Sequence, residues 1–432
     1  MWYMSTRGRS RLTLSDAIGA GLALDGGLYL PERVPTVEVQ GPGERLADTA
    51  KVLLKPFFEG DRLEPALEGI CERAFTFDAP LRRLGGERYL LELFHGPTAA
   101  FKDFAARFLA ETLRVRAEQE AFSRGEPPLT ATVLVATSGD TGAAVASAFW
   151  GLPYFRVVVL YPEGRVSARQ AHQLGAFGDN VACLKVRGSF DDCQGLVKAA
   201  FADEALRARY GLTSANSISL GRLLPQVVYF GHAALQLRER RVFSPVVVVP
   251  TGNLGNAFAC LLARRMGLPV GEVILATNAN RVLVEYVETG RYEPRPSVAT
   301  LANAMDVGAP SNWERLRVME PEREGLRAVS VGDEDIRASI VRSWEEDGVV
   351  VCPHTACGMW AERVWRERGG KGGVMVVATA HPAKFETVVE PLLKREVEVP
   401  ERLMEVLGRA SQAEPLEPNL DALRHWLQSS HK

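Results

Sequence analysis

Ser244-Pro-Val-Val-Val-Val-Pro250-Thr251-Gly252-Asn253-Leu254-Gly255-Asn256, running into Ala257-Phe-Ala-Cys-Leu-Leu-Ala-Arg-Arg-Met266, sets the fold class. The valine run is apolar at every position, as in a strand buried on both faces of a parallel sheet. The Gly- and Asn-rich turn breaks it, and the residues from Ala257 to Met266 follow with helical character. The same succession recurs in Ala131-Thr-Val-Leu-Val-Ala-Thr137, Ser138-Gly139-Asp140-Thr141-Gly142 and the helix Ala143 to Phe149. Further buried strands read at Phe155 to Tyr161, Val181 to Val186, Glu272 to Thr277 and Gly373 to Ala378, with helices near Ser167 to Leu174 and Asp191 to Phe201. Strands alternating with helices, with polar loops at strand ends in both halves, predict two doubly wound α/β lobes facing each other across a cleft.

Ahead of them lies a mostly helical lead. Leu14 to Ile18, Leu46 to Phe58 and Leu63 to Phe75 read as helices, and Arg88 to Phe94 as a strand. The expected division is an N-terminal helical part over 1–92, a smaller α/β lobe over 93–220 and a larger one over 221–432, whose end from Glu390 reads as charged and helical.

Composition narrows the function classes. The 432 residues are 46% hydrophobic and 24% charged, with a formal net charge of -2. That balance points to neither a nucleic-acid nor an anionic-membrane partner. The six cysteines form no CxxC pair and have no zinc-finger spacing to histidine, so no metal site and a reducing compartment are expected. The N-terminus has no apolar signal core, and no apolar run is long enough to span a bilayer, which together suggest a cytoplasmic protein.

The chemistry begins at His95-Gly-Pro-Thr98-Ala-Ala-Phe-Lys102-Asp-Phe104. Gly96 and Pro97 make a turn, Thr98 is a candidate helix cap, and Lys102 falls in the first turn of an apolar helix. Burial and the helix dipole both lower a lysine's pKa there, suiting a Schiff base or a general base. A lysine snorkelling to water is the alternative. Gly252 to Asn256, between strand and helix, is a candidate phosphate cradle, and it is neither a P-loop nor a GxGxxG fingerprint. A plain turn is its alternative. Ser138 to Gly142 suits a carboxylate or phosphate oxygen, or else simple capping by Ser138 or Asp140. Ser217 and Arg222 offer a hydroxyl and a guanidinium, Thr355 a hydroxyl beside a strand end, and Arg222 taken singly is more often just a surface residue. His354 and His381 are acid-base candidates by type, with structural roles the commoner reading.

Taken together and in order, Ser5-Thr-Arg-Gly8, Asp25-Gly-Gly-Leu-Tyr29, His95 to Phe104, Thr137 to Gly142, Asn216-Ser-Ile218, Gly252 to Asn256, Thr277-Asn-Ala-Asn280, Pro310-Ser-Asn312, Pro353-His-Thr-Ala356 and Ala380-His-Pro-Ala-Lys384 resemble the long bacterial and fungal threonine synthase family. The resemblance implies pyridoxal-phosphate fold type II, similar to the tryptophan synthase β subunit, with pyridoxal 5'-phosphate as cofactor. It implies that Lys102 carries the cofactor as a Schiff base and then acts as base. Gly252, Asn253, Leu254, Gly255 and Asn256 would hold its phosphate, Asp140 would lie near its 3'-oxygen, and Thr355 would face its ring nitrogen. The implied substrate-binding set is Thr98, Ser138, Gly139, Thr141, Ser217 and Arg222. The implied reaction converts O-phospho-L-homoserine and water to L-threonine and phosphate, by a monomer or small homo-oligomer. The alternatives are a related phospho-lyase that releases an oxo acid, or a silent ligand-binding homologue. The sequence departs from the family pattern at Ala99, Ser219, Leu254 and Arg281.

Overall fold

The valine run forms a strand over Val246–Pro250 with all five residues buried, and the helix after it spans Gly255–Arg265. A computed structural model describes residues 1–8, 10–320 and 325–430. Its strands, in chain order, are β1 (Tyr3–Ser5), β2 (Arg11–Leu12), β3 (Tyr29–Pro31), β4 (Leu81–Gly85), β5 (Arg88–Glu92), β6 (Ala131–Ala136) and β7 (Phe155–Pro162). They continue with β8 (Val181–Val186), β9 (Leu212–Thr213), β10 (Val246–Pro250), β11 (Val273–Thr277), β12 (Arg327–Ser330), β13 (Val374–Ala378) and β14 (Glu414–Leu416).

The larger sheet has the order β12-β11-β10-β13-β5-β4 and is parallel except for the β4–β5 hairpin. The smaller, all-parallel sheet has the order β14-β8-β7-β6-β9. Successive strand residues point to opposite faces, and both faces are buried. Val247, Val249, Val273, Leu275, Met375 and Val377 enter one hydrophobic cluster. Their neighbours Val246, Val248, Ile274, Ala276, Val374 and Val376 enter a second. Val133, Val135, Val157 and Val159 of the smaller sheet join the first cluster, and Leu134, Val158 and Leu160 form a third. One apolar cluster thus takes in one side of each sheet together with the helices packed on them, and each sheet is buried on both faces, as a doubly wound layer requires.

The observed elements depart from expectation where strands are short. The lead carries an antiparallel sheet of order β2-β1-β3, whose strands are two or three residues long and too brief for a periodicity signal. The helix expected over Leu63 to Phe75 is a 3-10 turn, Glu64–Ala66, with Pro65 in its first turn where a missing amide is tolerated, followed by an α-helix, Leu67–Ala74. The charged C-terminal stretch is not all helical: Glu414–Leu416 adds an edge strand, where a proline is tolerated. Sheet membership also crosses the chain divisions at 92/93 and 220/221, since β4 and β5 lie in the larger sheet and β14 in the smaller. No helix among the described residues is long and apolar enough to cross a membrane.

Candidate active site

Beyond β5 the chain keeps pairing with the segment that leaves β13. The Leu93 amide donates to the Ala378 carbonyl at 3.0 Å, that of Phe101 to Thr379 at 2.8 Å, and that of His381 to Ala99 at 3.0 Å. The lysine loop is therefore pinned to the larger sheet, and the helix Lys102–Arg124 starts directly at its lysine. Thr98 does not cap that helix. Its backbone amide donates to Asp103 at 2.8 Å and its hydroxyl donates to the same carboxylate, because the helix begins too far along for Thr98 to reach its free amides. Thr98 is fully buried, and so is Asp103, whose carboxyl is pushed up by burial.

The Lys102 amine lies 3.6 Å from Asp140, and the Lys102 side chain is 16% exposed, enough to meet a molecule in the cleft. Burial depresses the Lys102 amine, and the cations Lys384 and Arg222 depress it further, outweighing the attraction of Asp140. Asp140 opens the helix Asp140–Phe149 at the end of β6. Burial alone would raise its carboxyl, but Lys384 at 2.7 Å, together with Lys102, holds it well below the usual carboxylate range. Neither Ser138 nor Asp140 caps that helix; Gly139 stands at the cap position with φ 138°. The hydroxyl of Thr137 closes the turn instead, accepting from the amides of Gly139 at 3.0 Å and Gly142 at 2.8 Å. Ser138 and Thr141 are left partly exposed at the strand end.

The Gly252 to Asn256 loop makes the close backbone approach its glycines suggest. A Cβ on Gly252 would lie 2.7 Å from the Met305 backbone. Leu254 turns into the left-handed region at φ 63°, and no side chain caps the following helix. The Asn253 side chain is a brace: it donates to the Ser217 hydroxyl at 2.7 Å and accepts from the Ser311 amide, while its carbonyl accepts from Asn312 at 3.0 Å. The Asn256 carbonyl oxygen accepts from Tyr229 at 2.8 Å. The same Tyr229 hydroxyl lies 3.0 Å from the Gln226 side-chain oxygen, and Gln226 donates to the Arg222 carbonyl at 2.7 Å, so one chain of polar contacts joins this loop to the Arg222 helix.

Arg222 is not a surface residue; it is 2% exposed. Burial lowers its guanidinium to about 10, against the attraction of Asp103. One of its nitrogens donates to the Ala215 carbonyl at 2.6 Å. The Arg222 Nε, the Ser219 hydroxyl and the Asn256 amide nitrogen are buried without a protein partner, as is the Thr379 hydroxyl. Buried donors left open carry a penalty unless something fills them. Three donors, one of them cationic, beside an uncapped helix N-terminus fit anions such as phosphate groups. Together with the depressed Lys102 amine, they fit pyridoxal 5'-phosphate and a phosphorylated substrate.

Thr355 lies in the first turn of the helix Pro353–Glu367 and is buried; its hydroxyl accepts from the Thr379 amide at 3.2 Å and lies 3.2 Å from the Cys352 sulfur. It is thereby tied to the same β13 exit that pairs with the lysine loop. Both histidines are structural. His354 accepts from the Ala304 amide at 3.0 Å, and His381 from the Ala383 amide at 3.2 Å. Burial lowers each to about 4, so both are neutral. Among the described residues no cluster of His, Cys, Asp or Glu is arranged to hold a metal ion.

Residues to which sequence reasoning gave no role complete the site. Lys384 and Gln170 both reach the Asp140 carboxylate, at 2.7 and 3.1 Å. Arg315 is fully buried and donates to Asn312 at 2.7 Å and to the carbonyls of Tyr29 at 3.0 Å and Ile218 at 2.7 Å, locking the two anion loops to β3. Lys384 stands in the quoted Ala380 to Lys384 stretch, where a lysine before Phe385 was the available signal; Arg315, amid the charged run Glu314 to Arg317, gave none.

The family model for pyridoxal-phosphate-dependent enzymes matches residues 75–380 of the chain. The models for the threonine synthase N terminus and C-terminal region match residues 2–75 and 355–426. Among individual relatives, threonine synthase of Haemophilus influenzae is 39% identical over 404 residues, covering 91% of each chain. Threonine synthase of Escherichia coli is 39% identical over 407 residues, with the same coverage. Among solved structures, threonine synthase from Escherichia coli superposes with a TM-score of 0.89 at 36% identity over the whole of both chains. The pyridoxal-phosphate-bound threonine synthase from Brucella melitensis gives 0.90 at 35% identity over 99% of both.

Proposed function

The chain belongs to the threonine synthase family of pyridoxal-phosphate-dependent enzymes, and from that premise we propose that its cleft converts O-phospho-L-homoserine and water to L-threonine and phosphate. The observation that carries the reading is a depressed lysine, Lys102, beside Asp140 in a fold that also holds buried, unpartnered donors on two separate loops. Two phosphates, one on the cofactor and one on the substrate, account for two anion loops.

Pyridoxal 5'-phosphate, when bound, supplies an electron sink for charge developing on the substrate's Cα. The residues suited to hold it are Lys102 for its aldehyde, Gly252 to Asn256 for its phosphate, Asp140 for its 3'-oxygen and Thr355 for its ring nitrogen. A hydroxyl at that nitrogen donates or accepts without imposing a charge, which favours replacement chemistry over amino transfer.

The chain's own groups then divide the work. Ser138 and Thr141, on the loop that Gly139 turns, bind the substrate's carboxylate end, and Ser217 and Arg222 its phosphate; Thr98, implied as a substrate ligand, is fully buried with its amide and hydroxyl spent on Asp103, so it braces the lysine loop instead. Lys102, its amine depressed by burial, takes the Cα proton. A second proton leaves Cβ, and phosphate leaves Cγ with its bonding electrons while Arg222 neutralises the departing charge. Water bonds to Cβ, and protons return to Cα and Cγ, so the atoms of substrate and water are all found in threonine and phosphate. A chain without disulfides, all six cysteines being free and buried, supports a cytoplasmic setting.

The test is to incubate the purified protein, loaded with cofactor, with O-phospho-L-homoserine and identify the amino-acid product. Threonine in step with phosphate is expected; 2-oxobutyrate alone would overturn the reading.

A further inference from the structure

We propose that Lys384 is a positioning residue for this reaction: it takes the Asp140 carboxylate as its own ion-pair partner and so leaves the Lys102 amine without a full counter-charge, free to lose its proton. The inference rests on the reading of Lys102 given above.

Two lysines compete for one carboxylate. Asp140 Oδ1 lies 2.7 Å from Lys384 Nζ and accepts from Gln170 Nε2 at 3.1 Å, whereas Oδ2 lies 3.6 Å from Lys102 Nζ, beyond hydrogen-bond reach. Attraction falls inversely with distance, so Lys384 holds the carboxylate about one third more strongly before its hydrogen bond is counted. Lys384 Nζ also donates to the Thr98 carbonyl at 2.7 Å, which fixes its position. At 1% exposure Lys384 is closed to the cleft, while Lys102 is open to it, so only one of the two amines can meet a ligand.

A fully buried lysine is costly, and its placement here is over-determined. It stands in the 3-10 turn Pro382–Phe385, which His381 caps. That turn is clamped from the other lobe: the Ser167 hydroxyl donates to the Lys384 carbonyl at 3.0 Å, and Arg169 to the Ala383 carbonyl at 2.7 Å. The segment entering the turn pairs with the Lys102 loop through His381 and Ala99. One short stretch therefore aims Lys102 and delivers the second cation behind Asp140. The charged and titratable groups around Lys102 are Asp140, Lys384, Arg222 from the helix Leu220–Leu223, and the neutral His354; Asp103 lies behind Lys384 and Arg222. Of these, Asp140 alone holds the proton on Lys102, and Lys384 blunts that hold.

The test follows covalent loading of the full chain with pyridoxal 5'-phosphate across pH. The amine nitrogen bonds the aldehyde carbon and water leaves, a step open only to the unprotonated amine. The link is read by its absorption band, fixed with borohydride and located by peptide mapping. In Lys384→Gln, which keeps a donor but removes the charge, Asp140 turns to Lys102. The pH midpoint for labelling Lys102 then rises by about one unit, slowing labelling about tenfold at pH values well below that midpoint. Lys384→Arg, which keeps the charge, restores the wild-type midpoint, as a merely structural role would not require. Should Lys384→Gln fail to fold, Lys384→Met, similar in volume and uncharged, is read the same way. Label on Lys102 with an unmoved midpoint in the uncharged variants overturns this inference alone. Label on another lysine overturns the assignment of Lys102 itself.

Discussion

Arg222 combines two features that rarely coexist without function: a fully charged guanidinium and a buried Nε with no protein acceptor. Evicting such a group from water costs several kcal/mol, and an incoming phosphate returns much of it. Arg222→Met is therefore expected to lower kcat/KM for O-phospho-L-homoserine by about 30- to 1000-fold, or roughly 2–4 kcal/mol, with the cofactor band intact. Steady-state kinetics alongside the absorption spectrum check this; a lost band would mean that the residue serves the cofactor. Lys102 stood out locally as an amine in the first turn of an apolar helix, but that stretch alone read as well for a lysine snorkelling to water; the anion loops elsewhere in the chain and the family resemblance singled it out. Lys384 and Gln170 were not, because both earn their place through a carboxylate far away in the chain. No local pattern states which charges a fold brings face to face.

The strand-to-helix loops act as units. Gly252 has no room for a methyl group against the Met305 backbone, and its neighbour Leu254 already occupies the left-handed region. Gly252→Ala must push the loop away from Met305, disturbing the amides at the start of the Gly255–Arg265 helix. The expected result is cofactor affinity weakened about 5- to 150-fold, from roughly 1–3 kcal/mol of misplacement, with a small change in Tm. Titration of the cofactor-free chain with pyridoxal 5'-phosphate measures it, and unchanged affinity would remove the loop from the cofactor site. Elements of this kind were readable in advance: the valine run and the Ala131 to Thr137 strand are unbroken apolar runs, and the Leu46–Phe58 helix carries its period openly. Strands β1, β2, β9 and β14 did not, since two or three residues have no period and exist only through their pairing partners.

At the scale of the whole molecule, sheet order and the return of β14 to the smaller sheet lay outside what sequence patterning reveals, because strand pairing is decided by packing across both faces. The folded whole also carries a pH signature. His354 and His381 are held neutral, their values lowered from 6.5 to about 4. A depressed histidine stabilises the fold above its unfolded value, and that contribution disappears as pH falls through the folded one. Each is worth of order 2–3 kcal/mol at most, lost between about pH 6.5 and 4. Asp306, raised by burial to about 6, acts in the opposite sense, stabilising the fold as pH falls from 6 towards its ordinary 3.8. Two histidines outweigh one aspartate, so Tm is expected to fall on acidification across this window, and more steeply in Asp306→Asn. A flat Tm from pH 6.5 to 4 would contradict the neutral assignment of the two histidines.

In the proposed reaction water adds to carbon after phosphate has left carbon, and isotope labelling in heavy-oxygen water reads that directly. With cofactor-loaded protein and O-phospho-L-homoserine in H2(18)O, we predict label in the hydroxyl of threonine and none introduced into phosphate by the enzyme. Labelled phosphate accompanied by homoserine would reveal attack at phosphorus, and would contradict the account.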